Sequence, residues 1–168
     1  AEDTVTPWCN EACVSTLLWG YPYSVRALYL DSSYGGVDFT PPDQGDSRVV
    51  AVTIPGTSVG QACPYDAITT DVATVLTGRG ISMDTFDHVT FYLPDGIGCS
   101  FGGLAQVGGP LSWMNSASGA VLAHELGHNL GMSHSSTDID NDGEIDSEYG
   151  DCGDIMGCAS GWTHLTAP

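Results

Sequence analysis

The chain has 168 residues, 42% of them hydrophobic, and a formal net charge of −18 from 21 acidic against three basic residues. This length suits one domain with a sizeable core, and no apolar run approaches the length of a membrane span. Nucleic acids and anionic membranes would repel so acidic a protein, which argues against both as partners.

The first half of the chain shows signals for three strands and a helix. Val25–Asp31 is predicted to be a strand. Arg48–Ile54 is a continuous apolar, β-branched run ended by Pro55-Gly56, which predicts a strand buried on both faces. Between residues 68 and 76, apolar side chains recur at helical spacing and predict a core-facing helix. His88–Leu93 is predicted to be the third strand.

A glycine-rich stretch between residues 96 and 109 follows the third strand. It lacks the glycine patterns of phosphate-binding loops, so we expect turns flanking short strands near a cleft. Leu111–Asn115 is predicted to be a short strand before the next helix. If this strand is a sheet edge, its free backbone groups would pair with an extended peptide. The residues of this candidate substrate-binding edge are Ser112, Trp113, Met114 and Asn115.

The strongest motif is His124-Glu-Leu-Gly-His128-Asn-Leu-Gly131-Met-Ser-His134. Residues four apart lie on one helix face, so His124 and His128 can present two imidazoles to one cation. Gly131 can adopt a left-handed conformation that ends the helix, after which His134 can close the site. Three histidines with one open position suit zinc, and Glu125 can act as general base on a zinc-activated water.

A lone His-Glu-x-x-His pattern also occurs on ordinary polar helix faces, so the surrounding residues decide between the two interpretations. Gly131 and His134 extend the pattern, and Asp154-Ile-Met156-Gly157 adds a methionine in a tight-turn context. Together these features predict a zinc site with Met156 beneath it. Cys152 and Cys158 bracket this turn and could pair across it.

A second metal signal lies between residues 138 and 148. Oxygen-bearing side chains at alternate positions, Gly143 and Ile145 match a calcium loop of the EF-hand type. The pattern departs at its twelfth position, where Tyr149 replaces the expected glutamate, and the alternative is a solvated acidic loop. The expected calcium ligands are Asp138, Asp140, Asp142, the Glu144 carbonyl and Asp146, with Glu148 as an optional addition.

Six cysteines indicate a disulfide framework, because their number is even and none follows a zinc-ribbon spacing. The sequence does not choose among the pairings of Cys9, Cys13, Cys63, Cys99, Cys152 and Cys158. One alternative is that a cysteine near the start acts as an inhibitory zinc ligand. A chain beginning Ala1-Glu2-Asp3 is expected to be a processed, secreted and extracellular protein.

The zinc motif with Met156 resembles the metzincin peptidases, and ordered motifs over about residues 60–160 resemble the gametolysin-type family. These motifs are Asp87-His-Val…Leu93-Pro94 followed by Gly98-Cys99, Gly102-Gly-Leu-Ala, Gly108-Gly…Ser112-Trp-Met-Asn, and Tyr149-Gly-Asp…Asp154-Ile-Met156-Gly. The resemblance implies an α+β fold. In that fold, a twisted mixed β-sheet has a backing helix, an active-site helix carries the zinc motif, and a Met-turn lies in a small C-terminal part.

The resemblance also implies the activity. It points to a secreted zinc endopeptidase, made as a zymogen, that binds an extended peptide or protein substrate. We expect a monomeric catalytic domain spanning residues 1–168, with an N-terminal subdomain of about residues 1–131 and a short C-terminal subdomain at residues 132–168. Ser135 after the third histidine is as in matrixins, which are the second family considered. Cys158 stands where astacins and serralysins have a tyrosine.

A second class of function is a binding module. The short segment after Met156 is compatible with a calcium-stabilised, zinc-containing domain that recognises peptides without cutting them. A module that only binds would not require Glu125, whereas a hydrolase would. The sequence therefore favours the enzyme.

Overall fold

The computed structural model describes residues 7–41, 49–54, 63–158 and 161–165. Within these ranges the chain is mixed α+β, as expected. The elements are α1 (Glu11–Trp19), α2 (Val25–Ser32), α3 (Tyr65–Gly78), a 3-10 turn (Met83–Thr85), β1 (Val89–Tyr92), β2 (Gly103–Ala105), β3 (Leu111–Met114) and α4 (Gly119–Asn129). The predicted helix near residues 68–76 and the predicted strand near residues 88–93 are therefore confirmed as α3 and β1.

The three strands form one mixed sheet in the order β1-β3-β2. β3 pairs in parallel with β1, and antiparallel with β2 on its other side. The expectation that Leu111–Asn115 is a sheet edge is therefore wrong, because β3 has partners on both sides. The residues placed on that edge, Ser112, Trp113, Met114 and Asn115, lie in or directly after the central strand. The Asn115 amide also bonds the Gly102 carbonyl at 2.9 Å.

Alternation along β3 divides the core into two clusters, since successive side chains of a strand point to opposite faces. Trp113 packs with Phe91 and Ile68 on the α3 side, where its indole N–H donates to the Thr69 hydroxyl at 2.8 Å. Met114 packs on the other side among the buried residues of α2 and α4. α3 is thus the helix behind the sheet, and α4 occupies the opposite face.

The prediction of a strand at Val25–Asp31 is wrong, because this segment is helix α2. The Ser24 side chain caps it by accepting from the Ala27 amide at 3.2 Å. Val25 and Tyr29, four residues apart, lie on the buried face, and the Tyr29 hydroxyl donates to the Ala123 carbonyl at 2.8 Å. A side-chain cap and packing on α4 therefore outweigh the modest β-propensity of this segment.

The predicted strand at Arg48–Ile54 is also not found. Arg48 lies outside the described residues, as do Pro55 and Gly56, and residues 49–54 contain no strand. The backbone of Ala51 bonds side chains instead: its amide donates to Glu11 at 3.2 Å and its carbonyl accepts from Arg79 at 3.0 Å. These residues are half-buried or exposed, whereas a strand covered on both faces would be buried.

Three disulfides pair all six cysteines and confirm the predicted framework. The pairs are Cys9–Cys13, Cys63–Cys99 and Cys152–Cys158. The alternative in which an early cysteine is a free metal ligand is wrong, because Cys9 and Cys13 are bonded to each other. Across the described ranges, no helix is long and apolar enough to cross a bilayer.

Candidate metal centre and active site

Helix α4 carries the first two histidines and is buried over most of its length. The Ser118 side chain caps its start by accepting from the Val121 amide at 3.3 Å. The helix ends at Asn129, and two residues later Gly131 has a φ of +94°, in the left-handed region that favours glycine. The Met132 amide then bonds back to the Gly127 carbonyl at 3.0 Å, so the chain turns as predicted.

The turn brings the third histidine to the first two. One ring nitrogen from each of His124, His128 and His134 lies within 4.8 Å of the others. The Nε2 atoms of His128 and His134 are 3.0 Å apart. His124 and His128 are buried and His134 is half-buried. The three residues predicted to bind zinc therefore form one compact group that could hold a metal ion.

Each of the three rings is held at its other nitrogen by an oxygen. His124 Nδ1 lies 2.8 Å from the Ile155 carbonyl, and His128 Nδ1 lies 2.8 Å from the Met132 carbonyl. His134 Nδ1 lies 2.6 Å from Oε1 of Glu148. Because these oxygens only accept, each Nδ1 carries the hydrogen and each Nε2 keeps its lone pair. This donor set fits a zinc ion.

Burial also favours the ligand form of the two helical histidines. It lowers the pKa of His124 and of His128, because the charged ring loses solvation inside the protein. For each ring, the hydrogen bond to a backbone carbonyl raises the pKa, but by less than burial lowers it. Neutral imidazole is the form that coordinates metals.

Glu125 lies beside this group and is buried. Desolvation raises the pKa of its carboxyl group to about 7. Gly103 of β2 packs directly on this side chain, and a β-carbon at Gly103 would lie 2.7 Å from the Glu125 Cδ atom. The close approach of β2 to α4 therefore depends on glycine at this position and places the strand next to the carboxylate.

Met156 packs on the helix that carries the first two histidines. It is buried, and its sulfur packs against Gly127, which lies between the two helical histidines. The turn that carries it is closed by the Gly157 amide and the Asp154 carbonyl at 3.0 Å. The same turn supplies the Ile155 carbonyl that holds His124.

Only part of the expected calcium set converges. Carboxylate oxygens of Asp138, Asp140 and Asp146 lie within 4.8 Å of one another. Asp138 also accepts from the Gly143 amide at 2.9 Å, and Gly143 has the positive φ, +90°, that the loop pattern requires of this glycine. Asp142 lies outside this three-carboxylate group, and the expected ligand of Glu144 is its backbone carbonyl. Glu148 is not in the group either, because its carboxylate lies on His134.

Tyr149 is a residue of this site that the sequence analysis did not assign. Its ring centroid lies 4.1 Å from that of His134 and 6.1 Å from that of His124. The residue is 46% exposed, so it lines the open side of the histidine group. The available signal was its departure from the calcium pattern, where a tyrosine occupies the place of a ligating glutamate.

A group of three oriented histidines beside a buried carboxylate is the kind of site that metallopeptidases use. The sequence profile of the gametolysin peptidase M11 family matches residues 22–165, and the chain belongs to this family. Neither a curated protein nor a solved structure matched it. Membership confirms the resemblance drawn from the motifs and identifies the chain as a metallopeptidase whose substrates are peptides or proteins.

Proposed function

We propose that the protein is a secreted zinc endopeptidase that cleaves extracellular proteins. The observation that carries this proposal is the arrangement of His124, His128 and His134, whose oriented Nε2 atoms face one another beside Glu125. Three disulfides are consistent with an extracellular location.

Glu125 is the proposed general base. When bound, zinc would polarise the scissile carbonyl and lower the pKa of a water molecule. Glu125 would accept the proton of that water and deliver it to the leaving amine. Burial raises the pKa of this carboxyl group, but a dication held by the adjacent histidines would favour the ionised form and lower it again. The carboxylate is therefore the form that acts at neutral pH.

The proposed substrate-binding strand is β2 instead of β3. Among the described residues β2 pairs with β3 alone, so its outer edge offers free backbone groups to an extended peptide. Gly103 within β2 packs on Glu125. A peptide that pairs with this edge would therefore pass close to the catalytic carboxylate.

We further propose that the turn at Met156 is a metzincin Met-turn and that the acidic loop binds one calcium ion. Asp138, Asp140 and Asp146 would form the core of the calcium site, joined by Asp142 and the Glu144 carbonyl. Three carboxylates so close together repel one another unless a cation is bound.

The test of the peptidase is Glu125→Ala. We expect the variant to keep stoichiometric zinc and to lose casein cleavage by about 10²- to 10⁴-fold, the usual contribution of a positioned base. Glu144→Ala removes the same charge from an exposed position and should retain activity. Chelation should abolish cleavage and zinc should restore it.

Two outcomes would contradict the proposal. Undiminished cleavage by Glu125→Ala would exclude this residue as the base. A zinc-loaded parent protein that binds peptides but cleaves none would instead indicate the binding module.

A further inference from the structure

We propose that Glu148 and Tyr149 together form a positioning clamp on His134. In this clamp Glu148 holds the edge of the imidazole ring and Tyr149 covers its face. The inference rests on the proposed function in one respect, namely that His134 is a zinc ligand.

His134 differs from the other two histidines in what holds it. His124 and His128 belong to helix α4, and backbone carbonyls of Ile155 and Met132 accept from their Nδ1 atoms. His134 follows the helix in a segment without regular secondary structure and is half-buried. Its Nδ1 atom is held by a side chain, so its orientation depends on which residue stands at position 148.

The contact between Glu148 and His134 is short and specific. The Nδ1···Oε1 distance is 2.6 Å, although the Glu148 side chain is 67% exposed. A carboxylate acceptor fixes the hydrogen on Nδ1, directs Nε2 toward the other histidines and makes it a better donor to a metal. Glu148 therefore acts on the site through His134 and not as a ligand.

Tyr149 restricts the same ring from its face. The two ring centroids are 4.1 Å apart with an interplanar angle of 40°. A ring held by a hydrogen bond at one edge can still tilt about that bond, and a packed aromatic neighbour limits the tilt. Two consecutive residues thus supply complementary restraints.

Backbone bonds tie the clamp to the segment that it holds. The Thr137 amide donates to the Ser147 carbonyl at 2.9 Å, just before the clamp. On its other side, the Asp151 amide donates to the Ser135 carbonyl at 3.2 Å. Residues flanking His134 are therefore bonded to residues flanking Glu148 and Tyr149, which sets the distance between the two segments.

The experiment measures zinc affinity by competition with a chromogenic chelator, independently of peptidase activity. We expect Glu148→Ala to weaken zinc binding by about 10- to 100-fold, the usual effect of losing such an outer partner. Glu148→Gln should weaken it less, because its amide oxygen can still accept. Tyr149→Phe keeps the ring and should match the parent protein, whereas Tyr149→Ala should bind zinc more weakly. Glu144→Ala is the control, since it removes an equal charge from the same loop and keeps the backbone carbonyl, which is the only atom of Glu144 proposed to bind calcium.

A second readout is the tautomer of His134 in the metal-free protein, observed by nitrogen NMR of the ring. The parent protein should show the hydrogen on Nδ1, and Glu148→Ala should show a mixture of tautomers. The clamp is overturned if Glu148→Ala and Glu144→Ala affect zinc affinity equally, or if the tautomer does not change. Failure of the parent protein to bind zinc would overturn the proposed function instead, and the tautomer measurement would still decide the clamp.

Discussion

Gly127 lies on α4 between the two helical histidines, at the point where Met156 meets the helix. A β-carbon at this position would collide with the Met156 sulfur and would lie 2.9 Å from the Tyr29 hydroxyl oxygen. Both neighbours are buried, so neither has free space to move into. The absence of a side chain at residue 127 therefore allows the turn at Met156 and helix α2 to pack on the metal-binding helix.

We expect Gly127→Ala to lower the free energy of unfolding. Overpacking typically costs about 1–3 kcal/mol, against a gain of about 1 kcal/mol in helix propensity. Urea denaturation of the metal-free protein measures the net change. The control is Gly78→Ala in α3, where a β-carbon would meet nothing within 4 Å, and which should be neutral or stabilising. Equal effects of the two substitutions would refute the packing argument.

At the scale of elements, the acidic loop at residues 138–148 is held mainly by hydrogen bonds. An isolated antiparallel bridge between Thr137 and Ser147 closes its base, and hydrogen bonds from backbone amides to Asp138 and Asp146 shape its interior. Ile139 and Ile145 are exposed, so these two side chains do not anchor the loop by apolar packing. A cation that neutralises its carboxylates is therefore the expected source of further order.

Calcium should raise the melting temperature of the zinc-loaded protein. A ligand that binds only the folded state adds about 2.7 kcal/mol at about a hundred times its dissociation constant. The measurement compares melting with and without millimolar calcium. Asp140→Ala removes a clustered carboxylate and should lose the shift. Glu144→Ala should keep it, because only the carbonyl of Glu144 is a proposed ligand. No shift in the parent protein would identify the loop as a solvated acidic turn.

For the molecule as a whole, one of the three disulfides joins segments that are distant in sequence. Cys63–Cys99 spans 36 residues, including α3 and β1, whereas Cys9–Cys13 spans four. A crosslink restricts the unfolded chain more when it closes a longer loop. The net charge of −18 destabilises the folded state through self-repulsion. The disulfide Cys63–Cys99 offsets part of this loss, because it restricts the unfolded chain.

We expect the Cys63→Ala/Cys99→Ala variant to lose more stability than Cys9→Ala/Cys13→Ala. From loop length alone the difference should be about 2 kcal/mol, because the entropy term grows with the logarithm of the loop. Equilibrium denaturation at constant calcium and zinc concentrations provides the comparison. The two variants are matched, because each replaces two cysteines by alanine. An equal or larger loss from the shorter loop would show that native packing dominates.

The sequence alone determined those parts of the site that depend on local geometry. His124 and His128 share a face because four residues approximate one helical turn, and Gly131 ends the helix because glycine tolerates a positive φ. The apolar spacing within α3 is local in the same sense. Each of these predictions needed only neighbours within a few positions along the chain.

Tertiary structure decided what depends on partners distant along the chain. β3 became the central strand because the three-residue strand β2 pairs with it, and so short a segment carries little periodicity. Val25 and Tyr29 pack on α4 as part of a helix, although their segment resembles a strand. Glu148 bonds His134 instead of joining the clustered carboxylates, because the fold brings its side chain to the ring edge. Pairing and packing choose among locally acceptable conformations, and a single sequence does not contain the distances on which that choice depends.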